Sequence, residues 1–178
     1  EGTTEALTTD YAYIMNDDGT ISVSGYTGSD TDLTVPGLID GYVVTGIADH
    51  AFEANADIKS ITLPNGLIAI GESAFSDCSS LTTVVIPDTV GTIRRGAFIS
   101  CTALTTLDIP ASVTEIMEEA FTGCAALKDL TIESSTVEFT NWWVDTDEIP
   151  SDLTITCPKD SKIAAWAEKN NVATEPLS

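Results

Sequence analysis

Three consecutive stretches of this chain begin 23 positions apart, at Ile58, Leu81 and Leu104, and repeat one order of apolar residues. The head column is Ile58, Leu81, Leu104 and Leu127. Three residues on stand Ile61, Val84, Leu107 and Leu130, and two further on Leu63, Ile86, Ile109 and Ile132. Residues two apart on a strand face the same way. The last two columns therefore share one face, and Thr62, Val85, Asp108 and Thr131 point to the other. Pro64, Pro87 and Pro110 end the first of these strands, because proline has no N–H to continue a ladder. A second apolar pair follows in each stretch: Leu67 and Ile70, Val90 and Ile93, Val113 and Ile116. Then comes Ala-Phe (Ala74-Phe75, Ala97-Phe98, Ala120-Phe121), and three residues after each Phe a cysteine, Cys78, Cys101 or Cys124. One such unit cannot bury its own apolar face. Stacked units make a continuous core in which each coil touches its neighbours, and the Phe column is expected to stack as a spine of rings.

A period of roughly 20–29 residues headed by L-x-x-L-x-L marks a leucine-rich solenoid. The fuller pattern LxxLxIPxxVxxIxxxAFxxCxx resembles the 23-residue bacterial class known as Treponema-type or BspA-like leucine-rich repeats. The resemblance spans three full repeats and an irregular one at each end. It implies a right-handed, mostly β solenoid with a parallel concave sheet, on secreted or surface-attached bacterial proteins with roles in adhesion and protein binding.

The ends depart from the frame. Tyr11 to Met15, the turn Asn16-Asp17-Asp18-Gly19 and the alternating Ile21 and Val23 predict a β-hairpin that covers the first coil. Leu33-Thr34-Val35-Pro36 matches a strand head, five extra residues intervene around Asp40-Gly41-Tyr42, and the frame resumes at Val44, Ile47 and Phe52, with Asn55 in place of the cysteine. After Ala126 the pattern decays. Glu133 replaces the proline, Val137 and Phe139 carry the second apolar pair out of strict frame, and Trp142-Trp143 stands where Ala-Phe is due, in an acidic loop through Glu148. Leu153 to Pro158 reads as a final strand. Asp160 or Ser161 then caps a helix to about Asn170, with Ile163, Trp166 and Ala167 on one face. This ending resembles the C-terminal cap of the same family. By length the chain is expected to be one domain: 1–32 tail and hairpin cap, 33–157 repeats (regular over 58–126), and 158–178 helical cap.

Seven basic against 28 acidic side chains give a net charge of −21. That balance argues against nucleic acid or an anionic membrane as partner, since both need Lys and Arg. No run reaches the ~18–20 apolar residues of a membrane span. The cysteines occupy one column, so they read as small buried hydrophobes with free thiols; a Cys124–Cys157 bridge is the alternative. Zinc would want close C-x-x-C pairs, and calcium at Asp17-Asp18 a D-x-D-x-D-G loop; both spacings are absent.

His50 is the single histidine and reads as an exposed turn residue, with no nucleophile in a motif beside it. Arg94 and Arg95 are expected to pair with Glu72, Glu118 or Glu119 of neighbouring coils. The expected surface for a partner is the outward face of the concave sheet: Ser60, Thr62, Thr83, Val85, Thr106, Asp108, Asp129 and Thr131. The expected function is a non-enzymatic, cofactor-free, extracellular binding module for a protein. The alternatives are an envelope spacer, or glycan binding on a platform of Trp142 and Trp143, which otherwise plug the last coil.

Overall fold

The computed structural model describes residues 10–143 and 149–177. The polar tail 1–9, residues 144–148 of the acidic loop, and Ser178 lie outside the described residues. In chain order the elements are β1 (Tyr11–Met15), β2 (Ile21–Tyr26), β3 (Asp32–Thr34), β4 (Leu38–Ile39), β5 (Tyr42–Ile47), β6 (Ser60–Thr62), β7 (Ala69–Ile70), β8 (Thr83–Val85), β9 (Thr92–Ile93), β10 (Thr106–Ile109), β11 (Glu115–Ile116), β12 (Asp129–Ile132), β13 (Glu138–Phe139), β14 (Thr154–Cys157), the helix α1 (Lys162–Lys169) and β15 (Ala173–Pro176).

The leucine-rich solenoid is built as expected, with two parallel ladders per coil. The front ladder runs β3-β6-β8, then β10-β12-β14-β15, with β8 beside β10. Ile61 pairs with Val84 and Leu107 with Leu130, at the 23-residue spacing of the sequence. Leu33 pairs with Ile61 across the five extra residues. Those residues fold out as the antiparallel β4-β5 hairpin, turned at Asp40 and Gly41, whose φ values are 51° and 84°. Both lie in the left-handed region, as a tight hairpin of this kind requires.

The second ladder, along the side of the solenoid, was not legible in the sequence. It runs β1-β2-β5-β7-β9-β11-β13. Ile47, Ile70, Ile93, Ile116 and Phe139 are its inward column. Phe139 is thus in frame with Ile116, which corrects the reading of both residues as out of frame. Phe139 takes the place of the column's isoleucine, and Val137, the buried neighbour, is the shifted one of the two. The N-terminal hairpin caps by joining this ladder: β2 pairs parallel to β5 and buries Ile21 and Val23.

A third set of bonds joins coils at the turns. Phe52 N–H donates to the Ala74 carbonyl at 2.8 Å, Phe75 to Ala97 at 2.8 Å, Phe98 to Ala120 at 3.0 Å, and Phe121 to Trp142 at 3.2 Å. To hold this path the chain visits the left-handed region twice per turn. One column is His50, Ser73, Gly96 and Glu119; the other is Ala54, Asp77, Ser100 and Gly123, with φ between 50° and 74°. Each column contains one glycine, the residue that adopts this conformation without steric cost.

The Phe spine forms inside these turns. Ring centroids of Phe52 and Phe75 are 5.2 Å apart at 2°, Phe75 and Phe98 5.4 Å at 4°, and Phe98 and Phe121 6.1 Å at 13°. Beside it the thiols of Cys78, Cys101 and Cys124 donate to the carbonyls of Phe52, Phe75 and Phe98, each at 3.1 Å. Each bond ties a coil to the one before it. Asn55 does another job in the first coil, its side-chain oxygen accepting from the backbone N–H of Asp57 and Ile58 at 3.0 and 3.1 Å.

All four cysteines are free and buried. Burial pushes the Cys78 and Cys124 thiols from the ordinary 9.0 up to about 12, and raises Cys101 and Cys157 as well. Native protein treated with iodoacetamide at pH 8 should therefore keep its unmodified mass, while protein in urea should take up one adduct per cysteine. Between pH 9 and 12 the unfolded thiols have lost protons that the folded ones retain, so stability present below pH 9 falls as the pH rises through this window. At pH 10 the loss should be about 1 kcal/mol for each thiol held near 12. A urea midpoint that does not move between pH 8 and pH 10, or rapid native alkylation, would contradict the burial.

Candidate functional site

The side chains of the front-ladder strands from β3 to β14 alternate. On β8, Val84 is buried while Thr83 and Val85 are exposed; on β10, Leu107 and Ile109 are buried while Thr106 and Asp108 are exposed. The strand pairing aligns these exposed positions into two columns. One runs Asp32, Ser60, Thr83 and then Thr106, Asp129, Thr154; the other runs Thr34, Thr62, Val85 and then Asp108, Thr131, Thr156. All eight residues expected to form the site fall on this face. Ser60 and Thr131 are half-buried and the rest exposed. Ser60 is shielded because its hydroxyl donates to Asp32 at 2.5 Å.

These columns are mostly hydroxyl groups. The one large apolar side chain in the middle is Val85, 50% exposed, and the carboxylates Asp108 and Asp129 stand toward the C-terminal end. The backbone is locked by the ladder and the inward residues fill the core, so none of the outward side chains is needed for packing. Strands of neighbouring coils repeat roughly every 4.8 Å. The face can therefore present hydrogen-bonding groups at a fixed spacing to an extended partner.

The alternative platform does not survive. Trp142 and Trp143 are 0% and 4% exposed. Trp142 meets Phe121 edge-on at 5.9 Å and 70°, terminating the Phe spine, and Trp166 of α1 at 4.8 Å and 72°. Neither indole offers a free face for a sugar ring, because both cover the otherwise open end of the last coil. Ser161 caps the covering helix, accepting from Ala164 N–H at 3.1 Å, and α1 buries Ile163 and Ala167. β15, a strand without apolar alternation that the sequence did not signal, then pairs with β14.

The remaining polar candidates are structural. His50 lies in a left-handed turn and bonds Glu53 at 2.9 Å. Arg95 pairs with Glu119 at 3.2 Å, one of its expected partners. Arg94 does not pair with a neighbouring coil; it reaches Asp49 at 3.5 Å, two coils back. Gly71 stands one coil before Arg94, and its backbone lies so close to Ala48 and Asp49 that no side chain fits there. Both are surface pairs, worth about 0–1 kcal/mol. Among the described residues no group of three or more His, Cys, Asp or Glu is placed to hold a metal ion.

Comparison with known proteins agrees with this architecture. A family model described as "BspA type Leucine rich repeat region" matches residues 44–154 in six copies. The chain belongs to the BspA-type leucine-rich repeat family. Among solved structures, this BspA-type chain is similar to a leucine-rich repeat protein of Treponema pallidum, with 25% identity and TM-score 0.75 over 83% of this chain and 68% of the other. It is also similar to one of Bacteroides capillosus, with 32% identity and TM-score 0.62 over 68% and 92%. A third, described as a leucine rich cell surface protein of Faecalibacterium prausnitzii, is 34% identical with TM-score 0.67 over 85% of this chain and 42% of that one. No curated protein matches the sequence. No helix among the described residues is long and apolar enough to cross a membrane.

Proposed function

We propose that this chain is an extracellular, non-catalytic binding module whose front sheet holds a protein partner, with the hairpin within residues 1–32 and the helix within residues 158–178 acting as its caps. The observation that carries the reading is the pair of exposed columns from Asp32 and Thr34 to Thr154 and Thr156, presented on a fixed ladder and free of any packing duty. Such faces on solenoids serve as extended binding surfaces. Likeness to a protein described as a cell surface protein supports the location. The columns have no Trp, Tyr or Arg of the kind that anchors tight interfaces, so the interaction is modest and spread over several coils. A spacer of the cell envelope is the second reading, favoured by the same absence of anchors.

Replacing Thr83, Val85, Thr106 and Asp108 together by lysine separates the two. A panel of immobilised extracellular-matrix and bacterial surface proteins should include a ligand for the wild-type chain that the four-lysine variant no longer binds, while its melting temperature stays within a few degrees. If the partner is basic, binding should weaken as salt rises. A variant that binds every ligand as the wild type does would exclude the front sheet as the site.

A further inference from the structure

Exposed apolar side chains gather at one place that the front sheet does not include. Among the described residues, eight large hydrophobic side chains are exposed. Six of them, Ile14, Met15, Leu38, Tyr42, Val43 and Ile68, belong to the N-terminal hairpin, the β4-β5 hairpin and the coil that follows. Strand pairing and exposure place four of these on the outer side of the N-terminal hairpin, the β4-β5 hairpin and the coil that follows. On β5, Val43 and Thr45 point outward while Val44 is buried. Leu38 is the cross-strand partner of Val43. Ile68 donates its N–H to the Thr45 carbonyl at 2.8 Å, placing it one coil on along the same outer face. Ile14 stands opposite Ser22 on the hairpin. Ile14 and Ile68 wall an open groove of about 500 Å³, floored by the small residues Gly46, Ala69 and Gly71. Leu38 is 60%, Ile68 58%, Ile14 52% and Val43 49% exposed, far more than any residue of the repeat's own apolar columns.

The surroundings of this face are mainly acidic. Asp17, Asp18 and Asp49 line the groove, and Asp40 forms the adjoining turn. Arg94 reaches the groove too, but is paired with Asp49. The chain has no Lys or Arg before Lys59, although it has placed Asp10, Asp17, Asp18, Asp30, Asp32, Asp40, Asp49, Glu53 and Asp57 there. An apolar patch rimmed by polar groups marks an interaction site. Its rim sets the partner: a second copy of this chain would bring the same carboxylates against these, and an anionic membrane surface would be repelled as well.

We propose that the outer face formed by Ile14, Leu38, Val43 and Ile68 is a second docking surface, separate from the front sheet, and that it takes a protein segment with aliphatic or aromatic side chains flanked by Lys or Arg. The small floor admits the apolar side chains between the walls, and the acidic rim meets the flanking cations.

The test is a random twelve-residue peptide library on phage, panned against the intact chain. Enriched peptides should combine apolar residues with Lys or Arg, and their binding should weaken with salt. The Leu38→Ser/Val43→Ser/Ile68→Ser variant should bind them at least about tenfold more weakly, the loss of one good anchor or more. The four-lysine variant of the front sheet should bind them within about threefold of wild type, with the same peptide consensus. Should the triple variant fold poorly, Ile68→Ser alone carries the same comparison. The proposal is overturned by no enrichment, by enriched peptides that are acidic, or by peptides that bind the wild type and the triple-serine variant within twofold. It is overturned equally if sedimentation shows a wild-type dimer that the triple variant loses, since the face would then hold a second copy.

Discussion

Replacing Phe98 by alanine should lower the folding free energy by about 3–5 kcal/mol, read as a shift of the urea midpoint. Phe98 is fully buried, with Phe75 stacked on one side at 5.4 Å and Phe121 on the other at 6.1 Å. Truncation leaves a void bounded by two rings whose backbones are held by their own bonds, Phe75 to Ala97 and Phe121 to Trp142. The neighbours therefore have little freedom to collapse into it, which puts the cost at the upper part of the usual range. The internal comparison is His50→Ala. That side chain is exposed, and both residues are non-glycine in the left-handed turn, so the loss is the surface hydrogen bond with Glu53 and should not exceed about 0.5 kcal/mol. Equal midpoint shifts in the two variants would contradict the solenoid register itself.

Trp142→Ala should cost about 3–5 kcal/mol for a related reason at the end of the stack. Trp142 is fully buried, and its indole lies against Phe121, Phe139, Trp143 and Trp166, so removing it uncovers the last Phe and takes away the ring against which Trp166 of the covering helix packs. Its Nε1 has no acceptor among the described residues, so no hydrogen bond offsets or adds to that packing loss. The expected signature is a lower urea midpoint together with loss of the near-ultraviolet circular dichroism of the three tryptophans. A variant as stable as the wild type would restore the exposed-platform reading that the burial of both indoles overturns.

What the sequence made legible was whatever the 23-residue period repeats. Ile61, Val84, Leu107 and Leu130 pair as the columns demanded, and Phe52, Phe75, Phe98 and Phe121 stack. The side ladder was missed because its regular strands are two residues long, as in Ala69–Ile70, too short to show alternation. The left-handed columns were signalled by Gly96 and Gly123 but obscured by Ser73, Glu119 and Ala54, which adopt the same φ under the constraint of the stack. The partner of Arg94, Asp49, lies two coils back, beyond the adjacent-coil acids to which the charge pattern points. Of the two candidate surfaces, the front columns follow from strand alternation, whereas Ile14, Leu38, Val43 and Ile68 share no column: Leu38 pairs with Val43 in an irregular hairpin, and Ile14 and Ile68 line one groove.

The five extra residues of the β4-β5 hairpin have a consequence for how the chain finds its register. Between 58 and 126 each coil presents the same upper and lower surface, so a coil skipped or doubled during folding would still satisfy its local bonds. Such a slip is a trap that perfect repeats cannot exclude by themselves. The ends exclude it. Only the first coil spans 28 positions between front strands, from Asp32 to Ser60, and only the last turn shortens its step, from Phe121 to Trp142. Each irregular end accepts a single neighbour, and the middle is counted off between them. The same logic lets the middle grow: a whole coil added or removed alters no type of contact, so length in such a chain changes by rungs of the ladder while its two ends stay the same.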